Sequence, residues 1–307
     1  MILCCGETLI DMLPRKTING EMAFQPYSGG SVFNTAVTLG RLGASVGMYT
    51  GLSTDMFGEQ LAAFLEESNV SLDAVHRRDR PTTLAFVTLK DGHASYAFYD
   101  ENTAGRMLSM DSLPELTDEV VALFFGGISL MVEPAATTYE TFFLREAALR
   151  PVMIDPNIRP SFISDEPAYR ARLNRLLDAA SIVKVSDEDL AWIMGDSDLE
   201  DSAQALLDRG AHVVCVTEGS KGVRAFSQHG VTTASATRVD VVDTVGAGDT
   251  FNGGFLASLK AAGVLSHDGL DTLSEDILAE ALRSAARAAA VTVSREGANP
   301  PWAHELS

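Results

Sequence analysis

The chain has 307 residues, of which 46% are hydrophobic and 21% are charged, and these values are ordinary for a soluble globular protein. The 23 lysines and arginines are outnumbered by 42 aspartates and glutamates, which gives a formal net charge of −19 at pH 7. This negative charge argues against binding to nucleic acid or to an anionic membrane surface. An anionic ligand must therefore be held by local amides, a few cations or a metal ion.

The cysteines and the N-terminal residues bear on the compartment. Cys4 and Cys5 are adjacent and Cys215 lies in an apolar run, so we expect neither a disulfide framework nor a metal site built on cysteine. The apolar run at residues 1–5 is too short for a signal peptide, and no run reaches the length that spans a membrane. We therefore expect a cytosolic protein with no membrane partner.

Short apolar runs alternate with helical patterns along most of the chain. The apolar runs predict buried strands at residues 2–5, 45–52, 121–125, 152–155, 182–185 and 212–217. The helical patterns predict helices at residues 31–42, 57–67, 134–149, 168–180, 187–194 and 202–209. This alternation is typical of an α/β fold, in which helices cover a mostly parallel sheet and ligands bind at the carboxyl ends of its strands. Because we find neither repeats nor a linker, we expect residues 1–307 to form a single domain.

One region departs from this alternation. Residues 83–89 and 94–99 predict a hairpin that turns at Lys90-Asp91-Gly92-His93, and residues 22–27 add a further strand. A small sheet built from roughly residues 12–28 and 80–101 has an exposed face and edge that need a cover. A lid over the active site or a homodimer contact would provide that cover, and an ordinary peripheral hairpin is the alternative.

A glycine-rich stretch near the C-terminal end predicts an anion site. Gly246 and Gly248 flank Ala247, and Asp249 follows where a helical pattern begins. Backbone amides at such a turn, together with the N-terminus of the helix, form a pocket for a phosphate. The carboxylate of Asp249 would repel that phosphate. It is therefore either a base that takes a proton from the attacking nucleophile or a helix cap, and the local pattern leaves both interpretations open.

A second glycine pair, Gly29-Gly30, precedes the helix that contains Asn34. The amide of Asn34 can donate and accept hydrogen bonds, which suits a ligand rich in hydroxyl groups. A plain helix start is the alternative interpretation.

Two loops that follow predicted strands contain further candidates. Arg159 lies in the rigid loop 155–160 and can donate to a phosphate, although it is equally typical of a surface arginine in a turn. The glycine-rich residues 217–222 either bind a ligand or form a hairpin turn into the strand that follows. The six histidines have no spacing that suits a metal or a catalytic triad, and we assign none of them a role.

These glycine sites, in this order, resemble the ribokinase-like (PfkB) family of carbohydrate kinases. Residues 29–43 are similar to the N-terminal pattern of that family, and residues 243–249, Asp-Thr-Val-Gly-Ala-Gly-Asp, are similar to its C-terminal pattern. The resemblance covers essentially the whole chain. It implies a three-layer α/β/α sandwich with a small β lid, and transfer of the γ-phosphate of ATP to a sugar hydroxyl with Mg²⁺ present.

The resemblance also implies a role for each matching position. Asp249 is the general base, Gly246, Ala247 and Gly248 form the anion hole, and Arg159 lies near the phosphate. The sugar-binding positions are Asp11, expected near the end of the first strand, and Gly29, Gly30, Asn34, Phe98, Arg159 and Asp249. The nucleotide-binding positions are Lys184, Ser186, Thr217, Gly219, Gly222, Gly246, Gly248 and Ala286. A monovalent cation, K⁺, is expected at Asp243 and at carbonyls around Val245, Thr292, Arg295 and Gly297.

The chain departs from the family at one metal position. The family often has Asn-x-x-Glu after the strand that ends here at residues 184–185, whereas this chain has Ser186 and Asp189 at those two places. Both side chains can still hold water that is bound to Mg²⁺. We therefore expect Asp189 to contact Mg²⁺ through water.

Three segments resemble those of bacterial fructokinases: residues 6–11, 127–129 and 155–160. A kinase for 2-keto-3-deoxygluconate is the nearest alternative, because it shares this framework. Its acidic substrate calls for a further cation in the lid, and Lys90 and Arg106 lie close to Asp100 and Glu101 in sequence, which favours a neutral sugar. Ribokinase and nucleoside kinase are weaker alternatives.

Two further interpretations concern the lid and the class of protein. Phe24, Tyr96 and Phe98 are expected either to face the sugar ring or to pack within the hairpin. A sensor that has kept the fold and lost catalysis is the alternative from a different class, and the intact residues 246–249 argue against it. A dinucleotide-dependent dehydrogenase is excluded, because Gly6 is not followed by the required glycine pattern.

Overall fold

The computed structural model describes residues 1–90 and 93–306, and the strands of these residues form two separate sheets. In chain order the strands are β1 (Ile2–Cys5), β2 (Leu9–Lys16), β3 (Met22–Gly29), β4 (Val46–Ser53), β5 (Val70–Ser71), β6 (Val75–Arg78), β7 (Leu84–Lys90), β8 (His93–Tyr99), β9 (Ala122–Gly126), β10 (Val152–Asp155), β11 (Ile182–Ser186), β12 (Val213–Thr217), β13 (Val223–Ser227) and β14 (Gly230–Ala234). The helices are α1 (Ser31–Arg41), α2 (Met56–Glu67), α3 (Ala135–Ala147), α4 (Glu166–Ala179), α5 (Asp187–Met194), α6 (Leu199–Leu207), α7 (Ala247–Ala261), α8 (His267–Asp271) and α9 (Glu275–Val293).

The large sheet has the order β14-β13-β12-β11-β10-β9-β1-β4-β5, and β6 pairs with β4 beyond this path. The pairs from β12 through β4 are parallel, and β13 and β14 add an antiparallel edge. The predicted mostly parallel sheet is therefore confirmed. The carboxyl ends of β1, β9, β10, β11 and β12 meet along one edge of the sheet.

Helices cover both faces of the large sheet and enclose two hydrophobic cores. In β1, Ile2 and Cys4 belong to the core shared with α1, α2, α7 and α9, while Leu3 and Cys5 belong to the core shared with α3 to α6. Successive side chains of a strand point to opposite faces, so a strand between two helical layers must be apolar throughout. The fold is the expected three-layer α/β/α sandwich.

All six predicted strands and all six predicted helices are present, with ends that differ by up to three residues. The largest difference is at α6, which begins at Leu199 instead of residue 202. The cause is Asp198, whose side chain accepts hydrogen bonds from the amides of Glu200 and Asp201 and so caps the helix early.

The small sheet has the order β3-β2-β7-β8 and includes a strand that the sequence does not predict. The hairpin of β7 and β8 and the further strand β3 are confirmed, but β2 was not expected, and Asp11 lies within β2 and not at the end of the first strand. Asp11 and Pro14 interrupt the apolar pattern of β2, which hides it from an analysis of periodicity. The predicted turn of the hairpin contains Asp91 and Gly92, which lie outside the described residues.

Helices α1 and α7 pack closely, and their N-termini lie side by side at the edge of the large sheet. Gly253 of α7 makes this approach possible, because a Cβ atom there would lie 2.5 Å from the Cβ of Thr38 on α1. In the part of the chain that the structure describes, no helix is both long enough and apolar enough to cross a membrane.

Candidate active site

A cavity of about 830 Å³ lies at the carboxyl ends of β1, β9, β10 and β11. Its wall on the side of the large sheet contains the first residues of α1 and α7 and the segments that follow β1, β9 and β10. The small sheet closes the other side through Leu9, Asp11, Leu13, Arg15, Val87 and Phe98. This is the position at which α/β sheets bind ligands.

The anion pocket predicted at residues 246–249 lies in the wall of this cavity. Gly246 is the N-terminal cap residue of α7 and has φ of 77°, a left-handed conformation that favours glycine. The amides at the start of a helix have no partner within the helix and carry the positive end of its dipole. The turn therefore presents donors and positive potential to the cavity.

Asp249 does not cap α7, so this alternative interpretation was wrong. No side chain caps that helix, and the Asp249 carboxylate instead accepts from Ser31 Oγ at 2.8 Å and from Asn34 Nδ2 at 2.9 Å. Burial raises the pKa of Asp249 to about 6, although the bond from Asn34 lowers it. A carboxyl that titrates near neutral pH and is held in place by two donors has the properties of a general base.

Asp11 on β2 is a second carboxyl in the wall of the cavity. Burial and the nearby Asp249 raise the pKa of Asp11 to about 7, and Arg159 acts in the opposite direction. Gly29 leaves space for it, because a Cβ atom there would collide with Asp11 Oδ2. The structure thus brings together around one cavity the predicted sugar-binding residues Asp11, Gly30, Asn34, Phe98, Arg159 and Asp249, and Gly29 lies directly behind Asp11.

Lys184 carries a positive charge into the same cavity. Its Nζ lies 2.8 Å from Asp155 Oδ2 in a buried ion pair, and a Cβ atom at Gly248 would lie 3.0 Å from that Nζ. Burial alone would lower the pKa of Lys184, but the charge of Asp155 and its hydrogen bond outweigh burial and raise that pKa. The ammonium group therefore stays charged beside the N-terminus of α7.

Two residues of this network were not predicted as site residues. Asp155 lines the cavity, and Asn252 donates from Nδ2 to Asp155 Oδ2 at 2.7 Å. Asp155 is the last residue of a predicted strand, and ligands bind at the carboxyl ends of such strands. This position could have identified Asp155 as a site residue. Asn252 lies three residues after Asp249 on one helix, and only the packing of α7 on the sheet shows that it points to Asp155.

Arg159 lines the cavity, as expected. Its guanidinium, however, forms hydrogen bonds within its own loop. Its Nη1 donates to Asn157 Oδ1 at 2.8 Å and to the carbonyl of Ile158 at 3.1 Å. Asn157 has φ of 43°, so the loop turns sharply just before Arg159. These contacts hold the arginine in the wall of the cavity.

Several predicted nucleotide positions do not line this cavity. Ser186 caps α5 by accepting from the amide of Asp189 at 2.9 Å, and Asp189 Oδ1 accepts from the amide of Ile158 at 3.1 Å. Residues 217–222 form the turn between β12 and β13, as the hairpin alternative expected. The predicted nucleotide positions outside the cavity wall are Ser186, Thr217, Gly219, Gly222 and Ala286, and Asp189, the predicted contact of Mg²⁺, also lies outside it.

Asp243 joins the two segments of the predicted cation site. Its Oδ1 accepts from the amide of Val245 at 3.0 Å, and its Oδ2 accepts from the amide of Gly297 at 3.1 Å. Behind it, Thr292 Oγ1 lies 2.9 Å from Thr250 Oγ1, while Arg295 forms an ion pair with Glu305. Among the described residues, no group of three or more His, Cys, Asp or Glu side chains is arranged to hold a metal ion.

Glu7 also lines the cavity and was not predicted as a site residue. Its carboxylate accepts from the amide of Ser31 at 3.0 Å and from the amide of Ser129 at 3.2 Å. In the sequence, Gly6-Glu7 belongs to a segment that resembles bacterial fructokinases, but nothing local indicates that Glu7 turns inward.

Comparison with known proteins gives the family. A model described as "pfkB family carbohydrate kinase" matches residues 1–305. The chain belongs to this family. A fructokinase of Rhizobium leguminosarum bv. trifolii is 49% identical over 278 residues, which cover 91% of this chain and 85% of that protein.

Solved structures of other kinases share the fold over almost the whole chain. A fructokinase from Xylella fastidiosa with bound ATP has a TM-score of 0.87 at 29% identity and covers 99% of this chain and 97% of its own. An aminoimidazole riboside kinase from Salmonella enterica, complexed with aminoimidazole riboside and an ATP analog, has a TM-score of 0.85 at 25% identity. The match covers 99% of this chain and 98% of that kinase. The ribokinase-like fold is thereby confirmed.

The buried pair of Lys184 and Asp155 leads to a prediction on stability. We expect Lys184→Met to lower the free energy of unfolding by about 3 to 5 kcal/mol, because Asp155 would stay buried without its cation. Urea unfolding measures this change. The control is Arg283→Met, which breaks an exposed pair with Glu280 and should cost less than about 1 kcal/mol. Equal losses in the two variants would contradict the prediction.

Proposed function

We propose that this carbohydrate kinase transfers the γ-phosphoryl group of ATP to a hydroxyl of D-fructose. The observation that carries the proposal is the Asp249 carboxylate, which is buried in the cavity wall, held by Ser31 and Asn34, and placed at the start of α7 beside Gly246. A proton acceptor directly beside an anion pocket is the combination that phosphoryl transfer to an alcohol requires.

In the proposed reaction the sugar hydroxyl gives its proton to Asp249 as its oxygen attacks the γ-phosphorus. The bond from that phosphorus to the bridging oxygen breaks, and ADP leaves with the electron pair. The amides at Ala247 and Gly248, the dipole of α7 and the ammonium of Lys184 stabilise the negative charge on the transferred group. The bonds to Asp249 from Ser31 and Asn34 keep the base in position while this happens.

The proposed nucleotide site continues along the edge of the large sheet. Ser186 and Thr217 end the neighbouring strands β11 and β12 and are register partners, so they follow Asp155 along the edge where the cavity lies. We infer that ATP extends from the start of α7 toward the turn at residues 217–222, with Ala286 on its far side. Mg²⁺ neutralises phosphate charge in such reactions, and carboxylate oxygens suit it. Asp189 remains its proposed contact through water.

We also propose K⁺ at the loop that contains Asp243. In support of this, the Asp243 carboxylate lies against the backbone of 293–297, and backbone carbonyl oxygens are the kind of ligand that K⁺ prefers. The amides of Val245 and Gly297 already fix both carboxylate oxygens. A cation would add rigidity to the segment that leads into Gly246.

Fructose is the proposed sugar because the relative that is 49% identical is named a fructokinase. Arg15 on the small sheet lines the cavity, and this observation favours 2-keto-3-deoxygluconate as a second candidate, since its carboxylate needs a cation. Arg106, in contrast, bonds to the carbonyl of Glu133 and pairs with Asp100 outside the cavity.

We propose the cytosol as the compartment, in keeping with three free and buried cysteines.

A substrate panel tests the sugar. With ATP and Mg²⁺, we expect the highest kcat/KM with fructose among fructose, 2-keto-3-deoxygluconate, ribose and adenosine, measured by ADP release. Arg15→Gln should leave the fructose rate within about threefold, because a neutral sugar makes no ion pair. A preference for the acid sugar that Arg15→Gln abolishes would establish the second candidate, and no turnover with any of the four would refute the proposal.

The role of Asp249 is tested by Asp249→Asn. We expect kcat to fall by a factor on the order of 10² to 10⁴, because the amide cannot accept the hydroxyl proton. ATP should still bind with an affinity close to that of the wild type, which calorimetry measures. Asp276→Asn, an exposed change at the start of α9, is the matched control. Turnover that stays near normal in Asp249→Asn would rule out the base.

The raised pKa of Asp249 predicts how the reaction rate depends on pH. The pKa of Asp249 is raised to about 6, and only the deprotonated carboxylate accepts a proton. The rate of the wild type should therefore fall as the pH drops through about 6. A rate that stays constant down to pH 5 would contradict this assignment.

We further propose that the outer face of the small sheet joins two copies of the chain. Phe24, Phe86 and Tyr99 form an aromatic row on that face, with ring centroids 5.0 and 5.4 Å apart, and Phe24 and Tyr99 are exposed. Phe86 pairs with Met12 on β2, which does not line the cavity although its neighbours Asp11 and Leu13 do. Exposed apolar sheet faces of this kind commonly mark interfaces.

Light scattering tests the dimer. The wild type should have the mass of two chains at micromolar concentration, and Phe24→Glu should have the mass of one, because a charge cannot be buried in the contact. Leu149→Glu, at an exposed position after α3, is the control and should remain a dimer. A monomeric wild type would disprove the contact.

A further inference from the structure

Glu7 connects two segments of the cavity wall that are far apart in sequence. It follows β1 and is 8% exposed. Its Oε1 accepts from the amide of Ser31, the first residue of α1, at 3.0 Å, and its Oε2 accepts from the amide of Ser129 at 3.2 Å. Ser129 lies in the short 3₁₀ turn that follows β9. Each carboxylate oxygen therefore holds one segment.

The turn after β9 is shaped around this carboxylate. Gly127 has φ of 66°, and a Cβ atom there would collide with both carboxylate oxygens of Glu7. A residue with a side chain would therefore be excluded by strain as well as by contact. Tyr139, from α3, also donates to the carbonyl of Gly6 at 3.1 Å, which fixes the backbone just before Glu7.

The chemistry of Glu7 argues that both of its oxygens are needed. Among the described residues it takes part in no ion pair within 4.0 Å, and burial raises its pKa to about 7, so the charged form is costly here. Glutamine would fill the same volume without a charge. It has a single acceptor oxygen, however, and its NH₂ would face one of two backbone N–H donors.

The contact reaches Asp249 through one residue. Glu7 fixes the amide of Ser31, and the hydroxyl of Ser31 donates to Asp249 Oδ1 at 2.8 Å. Asn34, one turn further along α1, donates to the other oxygen of Asp249 at 2.9 Å. The position of the first turn of α1 therefore determines the direction of both donors.

We propose that Glu7 is a positioning residue for phosphoryl transfer: it ties the start of α1 to the turn after β9, and so holds Ser31 and Asn34 against Asp249. This proposal rests on the proposed kinase function. Glu7 needs no contact with the transferred group, because its effect passes through the backbone of Ser31.

The test compares Glu7→Gln with Glu146→Gln in the full-length protein. Glu146 is also a buried glutamate, but it lies on α3, pairs with Arg145 and Arg150, and does not line the cavity. For Glu7→Gln we expect kcat with fructose to fall by about 10- to 100-fold, in line with the cost of small misplacements of catalytic groups. The KM values for fructose and ATP should stay within about threefold of the wild type.

Hydrogen exchange gives a readout that does not depend on turnover. Exchange of the amides at Ser31 and Ser129 should be faster in Glu7→Gln than in the wild type, and unchanged in Glu146→Gln. A kcat that falls while these two amides exchange faster supports the proposal. If the wild type phosphorylates no sugar of the panel, the kinase proposal fails. Exchange at these two amides then decides by itself whether Glu7 connects the start of α1 to the turn after β9.

Three outcomes would overturn the proposal. A higher KM for fructose with an unchanged kcat would mean that Glu7 binds the sugar directly. Equal losses of kcat in Glu7→Gln and Glu146→Gln would mean a general loss of stability. Unchanged exchange at both amides in Glu7→Gln would mean that the carboxylate does not hold the two segments.

Discussion

The structure of the site depends on the hydrogen bonds that join the starts of α1 and α7. Ser31 and Asn34 of α1 donate to Asp249 of α7 over 218 and 215 residues of sequence. Because these bonds lie between two helix N-termini, they bring the positive ends of both helix dipoles to the same cavity. The packing of Gly253 against Thr38 lets the helix axes come close enough for this contact.

An acidic chain that binds a phosphate needs positive potential in one place, and the fold supplies it locally. The start of α7 contributes amides and a dipole, and the buried pair with Asp155 keeps Lys184 charged beside it. Glu7, Asp11 and Asp249 have pKa values raised to about 7, 7 and 6. For Asp249, at the start of α7, this raised pKa makes the carboxylate a better proton acceptor than a carboxylate in water, whereas Glu7 accepts hydrogen bonds from two backbone amides.

Much of the fold was predictable because the buried strands of the large sheet are mainly apolar on both faces. Such runs stand out in the sequence, as at residues 152–155, whereas β2 contains Asp11 and Pro14 and was missed. The helix α6 begins three residues before the start that its apolar pattern predicts, because Asp198, which lies outside that pattern, caps it. Tertiary context decides such cases, since the small sheet forms only when β3 and β7 supply partners for β2.

The sequence by itself determined the family, and it predicts an anion pocket at residues 246–249 with Asp249 beside it, since these depend on residues that are adjacent in the chain. It left open whether Asp249 caps its helix, and it did not show what the side chains of Glu7 and Asn252 contact. Only the tertiary structure decided these points. A hydrogen bond acts over about 3 Å, so the function of a buried polar group is set by the donors that folding places beside it, wherever they lie in the sequence.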